Sequence, residues 1–356
     1  MFTKQSAHRI FLCASVLALN IVLTAFAEEQ AGAEVNAEVN AEVNVYSARQ
    51  EHLIKPLLDD FSAQTGIKVN LLTGKGGALL TRLAAEGHNS PADVFITTDV
   101  AWLERAKQEK LSQATESDIL QKVIPAIYRD AQHHWFGLSL RVRTIMMRKD
   151  AGTPDVALSY ESLADPRWNK QICIRSSENI YNQSLVASMI VAHGEEKMTD
   201  WSKKLVAHFA RPPSGNDRDQ IMAAAGGLCT IAITNHYYLA LLLKTGSAEQ
   251  RAAAEKISIH WPNQADRGAH VNISGAFVTR AATNRDNAVR LIEHLVGVKM
   301  QKMYMDANFE YPVRTDLPLN ELLAEWGGFK KDHASLNKIG ALNAAATRIM
   351  DIAGWQ

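Results

Sequence analysis

The sequence has little cysteine, no excess of either charge and a single long apolar run. Its 356 residues include three cysteines, and 38 Lys and Arg are balanced by 38 Asp and Glu. This balance offers no attraction to a polyanion, so we expect no nucleic-acid partner. Hydrophobic residues make up 47% of the chain, which excludes intrinsic disorder for most of it. The length fits two domains or one large domain.

The long apolar run lies at the extreme N-terminus and has the pattern of a secretory signal. Lys4 and Arg9 precede an apolar stretch over residues 10–26, and an A-x-A cleavage site ends at Ala27. We therefore predict a signal peptide over residues 1–27 and export of the remaining chain. The alternative is an uncleaved membrane anchor, but the stretch contains polar residues and is shorter than a bilayer span requires.

Two features follow from this cleavage. Loss of Cys13 leaves the pair Cys173 and Cys229, and an even pair in an exported protein permits a disulfide. Two buried free thiols are the alternative. The exported chain would begin with the tetrapeptide A-E-V-N repeated three times, which is too short for a repeat fold, so we predict a low-complexity leader over residues 28–42.

Beyond the leader, apolar strand patterns alternate with helical ones. A helix is expected over residues 51–64, where the apolar residues fall on one face and Gly66 follows as a stop signal. Another helix begins near Leu79. Strands are expected over residues 43–47, 67–72, 93–97, 136–139, 144–147, 172–175, 229–233 and 270–279. This alternation predicts an α/β fold with largely parallel sheets.

The usual enzyme motifs are missing from the chain. The glycine-rich turn over residues 73–77 lacks both the P-loop and the dinucleotide-binding pattern. There is also no G-x-S-x-G nucleophile elbow and no H-E-x-x-H zinc motif. Without a nucleophile and base in a recognisable arrangement, we expect a binding protein, with an exported enzyme on the same fold as the alternative.

Three of the eight tyrosines occupy equivalent positions after predicted strands. Tyr237 and Tyr238 follow the strand over 229–233, and Tyr181 follows the strand over 172–175. Ligands of open α/β sheets bind beyond the carboxyl ends of strands. Three phenolates would balance the charge of Fe³⁺, and hard ions prefer oxygen donors. The spacing alone leaves two other interpretations open, packing at a domain boundary or stacking on an organic ligand.

Eight short stretches then resemble a known family. The sequence is similar to the periplasmic ferric-iron-binding proteins, the solute-binding components of bacterial iron ABC transporters. The combination of N-I-Y-N-Q-S with a tyrosine pair carries most of this resemblance. The similar stretches are VNVYSAR (43–49), FSAQTGIKV (61–69), SPADVF (90–95), IRSSENIYNQS (174–184), FARPPSGND (209–217), NHYYL (235–239), HVNISG (270–275) and EYPVR (310–314).

The resemblance implies a metal site that contains the tyrosines named above, Tyr181, Tyr237 and Tyr238. Family members often take another ligand, a His or a Tyr, from the loop after the first strand. Here the aligned positions hold Gln50 and Glu51, with His52 one residue further on, so Glu51, His52 or neither completes the site. Some members add a Glu after the third strand, for which Asp99 is the nearest match.

The resemblance also implies an anion that binds together with Fe³⁺, such as carbonate or phosphate. Arginine suits oxyanions because its guanidinium group can donate two parallel hydrogen bonds. Arg143 and Arg148 are expected to lie on a solvated strand edge instead. The candidate anion-binding residues are Arg49, Arg141, Ser177, Asn179, Asn216 and Asn235.

The architecture implied by the family is the two-lobe, type II periplasmic binding protein fold, with a hinge and a cleft between the lobes. One lobe would comprise residues 43–140 and 269–311, and the other residues 141–268 and 312–356. Such a protein would work as a monomer in the periplasm and deliver iron to a permease in the inner membrane. The same fold holding an organic solute or an oxyanion is the alternative.

Overall fold

The computed structural model describes residues 41–152 and 157–356. The predicted signal peptide over 1–27 and the leader up to residue 40 lie outside the described residues. The first described strand begins at Glu42, inside the third A-E-V-N copy, as the sequence predicted. None of the helices in the described part of the chain has the length and apolar character needed to cross a bilayer.

Nine strands and fourteen α-helices form within the described ranges. The strands are β1 (Glu42–Ser47), β2 (Lys68–Thr73), β3 (Val94–Thr97), β4 (Phe136–Arg148), β5 (Ile172–Cys173), β6 (Ile231–Asn235), β7 (Ile257–His260), β8 (Val271–Val278) and β9 (Tyr311–Pro312). The helices are α1 (Glu51–Thr65), α2 (Gly76–Glu86), α3 (Val100–Gln108), α4 (Asp118–Val123), α5 (Ile180–His193), α6 (Glu195–Ala207), α7 (Asp217–Ala225), α8 (His236–Thr245), α9 (Ala248–Ala254), α10 (Arg285–Leu295), α11 (Val298–Asn308), α12 (Glu321–Glu325), α13 (Leu336–Ala341) and α14 (Asn343–Ile352).

Helix α1 illustrates why the sequence patterns were informative. Its buried residues, Ile54, Leu57, Leu58 and Phe61, repeat with helical spacing and face the core. The helix ends at Gly66, whose φ of 74° is easily adopted by glycine and whose N–H bonds to the carbonyl of Ser62. The predicted helix and its glycine stop are both confirmed.

The strands form a mixed sheet in the order β2-β1-β3-β8-β4-β6-β5, and β7 and β9 also pair with β4. Among the strand pairs of the described residues, three are parallel, β1 with β2, β1 with β3 and β5 with β6, and the other five are antiparallel. The expectation of largely parallel sheets is therefore wrong. The α/β class itself is confirmed, and the antiparallel pairings arise because β8 and β4 return across the sheet.

Strand β4 is a single continuous strand, although the sequence predicted two short ones. Its first part, up to Val142, pairs with β8, and its second part, from Arg143, pairs with β6. Arg141 and Arg143 interrupt the apolar pattern in the middle of the strand, yet both are buried. The predicted lobe boundary at residues 140–141 lies next to this change of partners, and the boundary remains a prediction.

Cys173 and Cys229 form a disulfide, as the sequence allowed. Cys173 ends β5, and Cys229 lies two residues before the start of β6. Cys173 is aligned with Ala232 in the parallel pair of β5 and β6, so the disulfide connects the end of β5 to the segment that enters β6. Consequently, the segment that follows β5 is covalently tied to the segment that precedes β6.

Candidate metal site

The three candidate tyrosines lie in the first turns of two helices. Helix α5 begins at Ile180 after Asn179, whose side-chain oxygen accepts a hydrogen bond from the N–H of Asn182. Tyr181 is thus the second residue of α5, and Tyr237 and Tyr238 are the second and third residues of α8. Because β5 and β6 are parallel neighbours, the two helices start side by side. All three tyrosines line one cavity of about 340 Å³.

Arg141 provides the positive charge beside these tyrosines. Its Nη1 donates to the hydroxyl of Tyr181 at 3.1 Å and to the carbonyl of Thr98 at 2.6 Å. The guanidinium carbon lies 5.3 Å from the ring centroid of Tyr181 and 5.2 Å from that of Tyr237. The rings of Tyr237 and Tyr238 are 4.4 Å apart. A buried cation surrounded by phenol groups favours their ionised form.

The acidity of the three phenols differs. Burial tends to raise the pKa of Tyr181, but the charge of Arg141 and hydrogen bonds from Tyr237 and Thr98 lower it below its ordinary value. Burial raises the pKa of Tyr237 well above its ordinary value, against the charge of Arg141. Burial also raises the pKa of Tyr238. Tyr181 is therefore the first to ionise, and the other two require an additional positive charge.

Arg49 and Arg141 are held by a buried carboxylate that the sequence analysis missed. The Oε1 atom of Glu310 lies 2.7 Å from Nη1 of Arg49 and 3.3 Å from Nη2 of Arg141. Its Oε2 atom accepts hydrogen bonds from Ser139 and from Ser274. Burial tends to raise the pKa of Glu310, but the two arginines outweigh it and lower the pKa to about 2. Glu310 lies within the family-like stretch EYPVR, which was the available signal.

This network leaves some arginine donors free. Nε and Nη2 of Arg49 and Nε of Arg141 are buried without a hydrogen-bond partner. Buried donors without a partner are costly. Both arginines line the same cavity as the tyrosines.

A second buried hydrogen-bond network reaches the hydroxyl of Tyr237. Arg143 pairs with Asp217 at 2.6 Å and donates to the Oδ1 atom of Asn235 at 3.2 Å. Asn235 in turn donates to the hydroxyl of Tyr237 at 3.2 Å. The expectation of a solvated Arg143 is wrong, because its side chain is only 1% exposed. Arg148 does lie near the surface, where it pairs with Asp150.

The four remaining candidates for anion binding lie outside the tyrosine cavity. Ser177 and Asn179 lie in the turn before α5, and Asn216 caps α7 by accepting from the N–H of Arg218. None of these three lines the tyrosine cavity. Asn235 also lies outside it and meets Tyr237 from the neighbouring small cavity. An anion-binding role for these four residues stays a prediction.

The candidate residues of the loop after β1 differ in whether they line the cavity. Gln50 and His52 line the cavity, whereas Glu51 is exposed and does not. Asp99 is fully buried as the cap of α3, where its carboxylate accepts from Ala101 and Ser184. Thr98, Arg218 and Asn308 line the cavity without having been predicted. No local pattern distinguishes these three, because their positions depend on contacts between distant segments.

Within residues 41–152 and 157–356, no three His, Cys, Asp or Glu residues form a group suited to a metal ion. A metal in this cavity would therefore depend on phenolate oxygens. Oxygen donors of this kind suit a hard cation, and guanidinium groups suit an oxyanion.

A polar cavity in a mixed α/β fold of this topology is typical of solute-binding proteins. Residues 89–330 match the family model described as "Bacterial extracellular solute-binding protein", and the chain belongs to this family. Its fold is the type II periplasmic binding protein fold, as predicted from the resemblance.

Individual relatives are similar over most of their length. "Iron uptake protein A1" of Synechocystis sp. is 45% identical over 88% of this chain and 87% of its own. Its counterpart "Iron uptake protein A2" is 36% identical over the whole of both chains. The Trichodesmium protein IdiA (FutA), solved in complex with iron and citrate, superposes with a TM-score of 0.85 at 44% identity, covering 89% of this chain and 100% of that one.

Proposed function

We propose that this chain captures ferric iron through the phenolates of Tyr181, Tyr237 and Tyr238 and delivers it to an ABC permease. The observation that carries the proposal is the meeting of all three phenols in one cavity beside Arg141. Relatives that are 36–45% identical are named for iron uptake, and a similar solved structure holds iron and citrate. The protein would act as a periplasmic monomer after removal of residues 1–27.

The charges of the site suit an anion as well as the metal. Fe³⁺ and three phenolates sum to zero. Among the buried charges, Arg49 and Arg141 carry two positive charges and Glu310 cancels one of them. Arg218 adds a further positive charge to the lining of the cavity. Six-coordinate iron would have three further positions. An oxyanion such as carbonate or phosphate would fill some of them beside the guanidinium groups of Arg49 and Arg141, which line the cavity.

The pKa values of the three phenols also support ferric iron as the ligand. Tyr181 is prepared for ionisation by Arg141, whereas burial keeps Tyr237 and Tyr238 protonated without a metal. Binding of a trivalent cation would displace these protons, as metals do for other acidic ligands. Iron affinity would therefore fall as the pH falls, because protons compete for the same oxygens.

The test is a visible spectrum of the purified chain with added Fe³⁺. Phenolate bound to Fe³⁺ should produce a charge-transfer band that no side chain produces alone. Tyr181→Phe, Tyr237→Phe and Tyr238→Phe each remove one oxygen and keep the ring, so each should weaken iron binding and change the band. Wild-type binding by all three variants would refute the phenolate site.

Two variants serve as controls. Tyr46→Phe should leave the spectrum unchanged, because the Tyr46 hydroxyl bonds to Glu86 at 2.9 Å and lies outside the cavity. His52→Ala tests the loop after β1, where a changed band would assign His52 as a ligand. An unchanged band would leave His52 as a surface residue.

A second candidate function is binding of an organic solute or a free oxyanion in the same cavity. The positive charges of Arg49 and Arg141 in the lining favour it, and the aromatic rings could stack on a planar ligand. Anion binding that is unaffected by removal of iron, together with a colourless iron titration, would favour this alternative. We expect no catalytic turnover with either ligand.

A further inference from the structure

His236 is a fully buried histidine that begins helix α8, directly before the tyrosine pair. No role was predicted for it, although it lies inside the family-like stretch NHYYL. It does not line the tyrosine cavity, so it is not a candidate metal ligand. Its two ring nitrogens instead bond to two segments that are 94 and 73 positions away in the chain.

The first of these bonds reaches the strand that carries Arg141. The backbone N–H of Val142 donates to Nδ1 of His236 at 3.2 Å. Val142 lies between Arg141 and Arg143, at the point where β4 changes its partner from β8 to β6. Since the backbone N–H has to donate, Nδ1 has to accept, and the proton of the neutral ring lies on Nε2. The start of α8 is thereby joined to the middle of β4.

The second bond reaches the residue before Glu310. Nε2 of His236 donates to the carbonyl of Phe309 at 2.8 Å. Phe309 caps the C-terminal end of α11 with a φ of 54°, a left-handed conformation that is uncommon for a bulky residue. This turn leads directly into Glu310, whose carboxylate pairs with Arg49 and Arg141. The bond from His236 therefore helps to hold the chain in the conformation that brings Glu310 to the arginines.

Aromatic side chains hold the imidazole ring itself in place. Its centroid lies 4.9 Å from that of Tyr311 and 5.6 Å from that of Tyr237, the latter at an interplanar angle of 86°. Trp326 also packs edge-on against the ring, at 6.4 Å. A buried ring that is packed by aromatic neighbours and bonded at both nitrogens is held in one orientation.

Three segments that line the tyrosine cavity are thus connected by one side chain. Helix α8 carries the tyrosine pair, β4 carries Arg141, and the turn after α11 leads to Glu310. A binding site functions only when its groups are held within about 0.5 Å of the productive geometry. Because these segments are distant in the sequence, their relative positions depend on tertiary bonds such as the two made by His236.

We propose that His236 is a positioning residue, which holds Tyr237 and Tyr238 at a fixed distance from Arg141 and Glu310. Its effect on iron rests on the proposed function, whereas the positioning itself does not. Loss of the two ring bonds lets the tyrosine pair move relative to Arg141. The phenolates then meet Fe³⁺ and its anion in a poorer geometry, although no iron ligand has been removed.

Three substitutions separate the two bonds. His236→Phe keeps an aromatic ring and removes both bonds, so it should weaken Fe³⁺ binding about ten-fold or more and shift the charge-transfer band. His236→Gln can still donate to the carbonyl of Phe309, and His236→Asn can still accept from the N–H of Val142. Each of these two should bind Fe³⁺ more tightly than His236→Phe and more weakly than the parent. Iron titration followed in the visible spectrum gives the affinity and the band together.

His208→Phe is the matched control for the loss of a buried histidine. His208 is also buried, and its Nδ1 donates to the carbonyl of Leu163 at 3.0 Å, outside the tyrosine cavity. Its replacement should lower the midpoint of urea unfolding and leave the iron affinity and the band unchanged. Equal changes of affinity and band in His208→Phe and His236→Phe would overturn the proposal, because general destabilisation would then explain both.

Crystal structures without iron test the positioning independently of iron binding. The guanidinium carbon of Arg141 lies 5.2 Å from the ring centroid of Tyr237 in the parent, and this distance should change by about 0.5 Å or more in His236→Phe. A parent without a charge-transfer band would refute iron capture, and the distance would still decide the role of His236. An unchanged distance in His236→Phe would overturn the proposal, as would parental affinity and band in all three His236 variants.

Discussion

Glu310 determines the charge of one wall of the tyrosine cavity. It is 2% exposed and is bonded to two arginines and two serines. Without it, Arg49 and Arg141 would face each other as buried like charges. The carboxylate therefore allows two guanidinium groups to lie side by side and still leaves one net positive charge for a ligand.

Glu310→Gln should strongly destabilise the ligand-free protein. Removal of one partner from a buried ion pair typically costs about 3–5 kcal/mol, because the remaining charge stays buried. Urea unfolding at neutral pH would measure this loss. Glu51→Gln is the matched control, since Glu51 is exposed and has no ion-pair partner among the described residues; it should unfold like the parent.

The stability of the parent and that of Glu310→Gln should depend differently on pH. The pKa of Glu310 falls from its ordinary 4.5 to about 2 in the folded protein, where two arginines outweigh the effect of burial. A lowered pKa contributes stability above the unfolded pKa and loses it as the pH falls through the folded one. Stability of the parent should therefore decline between about pH 4.5 and about pH 2 more steeply than that of Glu310→Gln. Parallel acid profiles would contradict this assignment.

Single residues were predictable from the sequence where local position determines their role. Tyr181, Tyr237 and Tyr238 could be found because each follows a strand pattern and begins a helix. Glu310 and Asp217 could not be found in this way. Their roles depend on partners 261 and 74 positions away, Arg49 and Arg143, and no local pattern records such pairs.

At the scale of elements, the disulfide connects the two segments that supply the tyrosines. Cys173 ends β5, which precedes the turn into α5, and Cys229 precedes β6, which leads directly into α8. The cross-link limits how far β5 and β6, the two strands that lead to these helices, can separate. The two strands that precede the tyrosine-bearing helices are thus held together independently of the first part of the chain.

Replacement of both cysteines, Cys173→Ala with Cys229→Ala, should lower the free energy of unfolding. The closed loop contains 57 residues (229 − 173 + 1), for which the chain-entropy model gives about 4 kcal/mol. Urea unfolding would measure the loss. Reduction of the parent should reproduce it, and thiol titration of the denatured, unreduced exported chain should find no free thiol. Two free thiols would contradict the cross-link.

Elements were predictable where periodicity and glycine signals agree. The 3.6-residue pattern and Gly66 defined α1, and the apolar run over 270–279 defined β8. Strand β4 was divided into two because Arg141 and Arg143 interrupt its apolar pattern. Only the tertiary partners Glu310 and Asp217 make these two buried charges tolerable.

At the scale of the whole molecule, the family stretches predicted the fold class correctly, whereas the sheet directions were wrong. Pairing across the sheet depends on β8, which follows β3 by more than 170 residues and lies antiparallel to it. Strand patterns alone do not distinguish this arrangement from a parallel one, because a fully buried strand has the same composition in both.

The continuity of β4 has a consequence for how the molecule melts. A protein built from two independent units commonly unfolds in more than one step. Here one strand hydrogen-bonds to β8 with its first part and to β6 with its second, and a single apolar cluster includes Phe95 beside β8 as well as Ile145 and Leu185. Neither half can lose its structure without exposing the core of the other. Calorimetry of the iron-free chain should therefore record one endotherm with equal calorimetric and van't Hoff enthalpies, and two resolved endotherms would show that the halves melt separately.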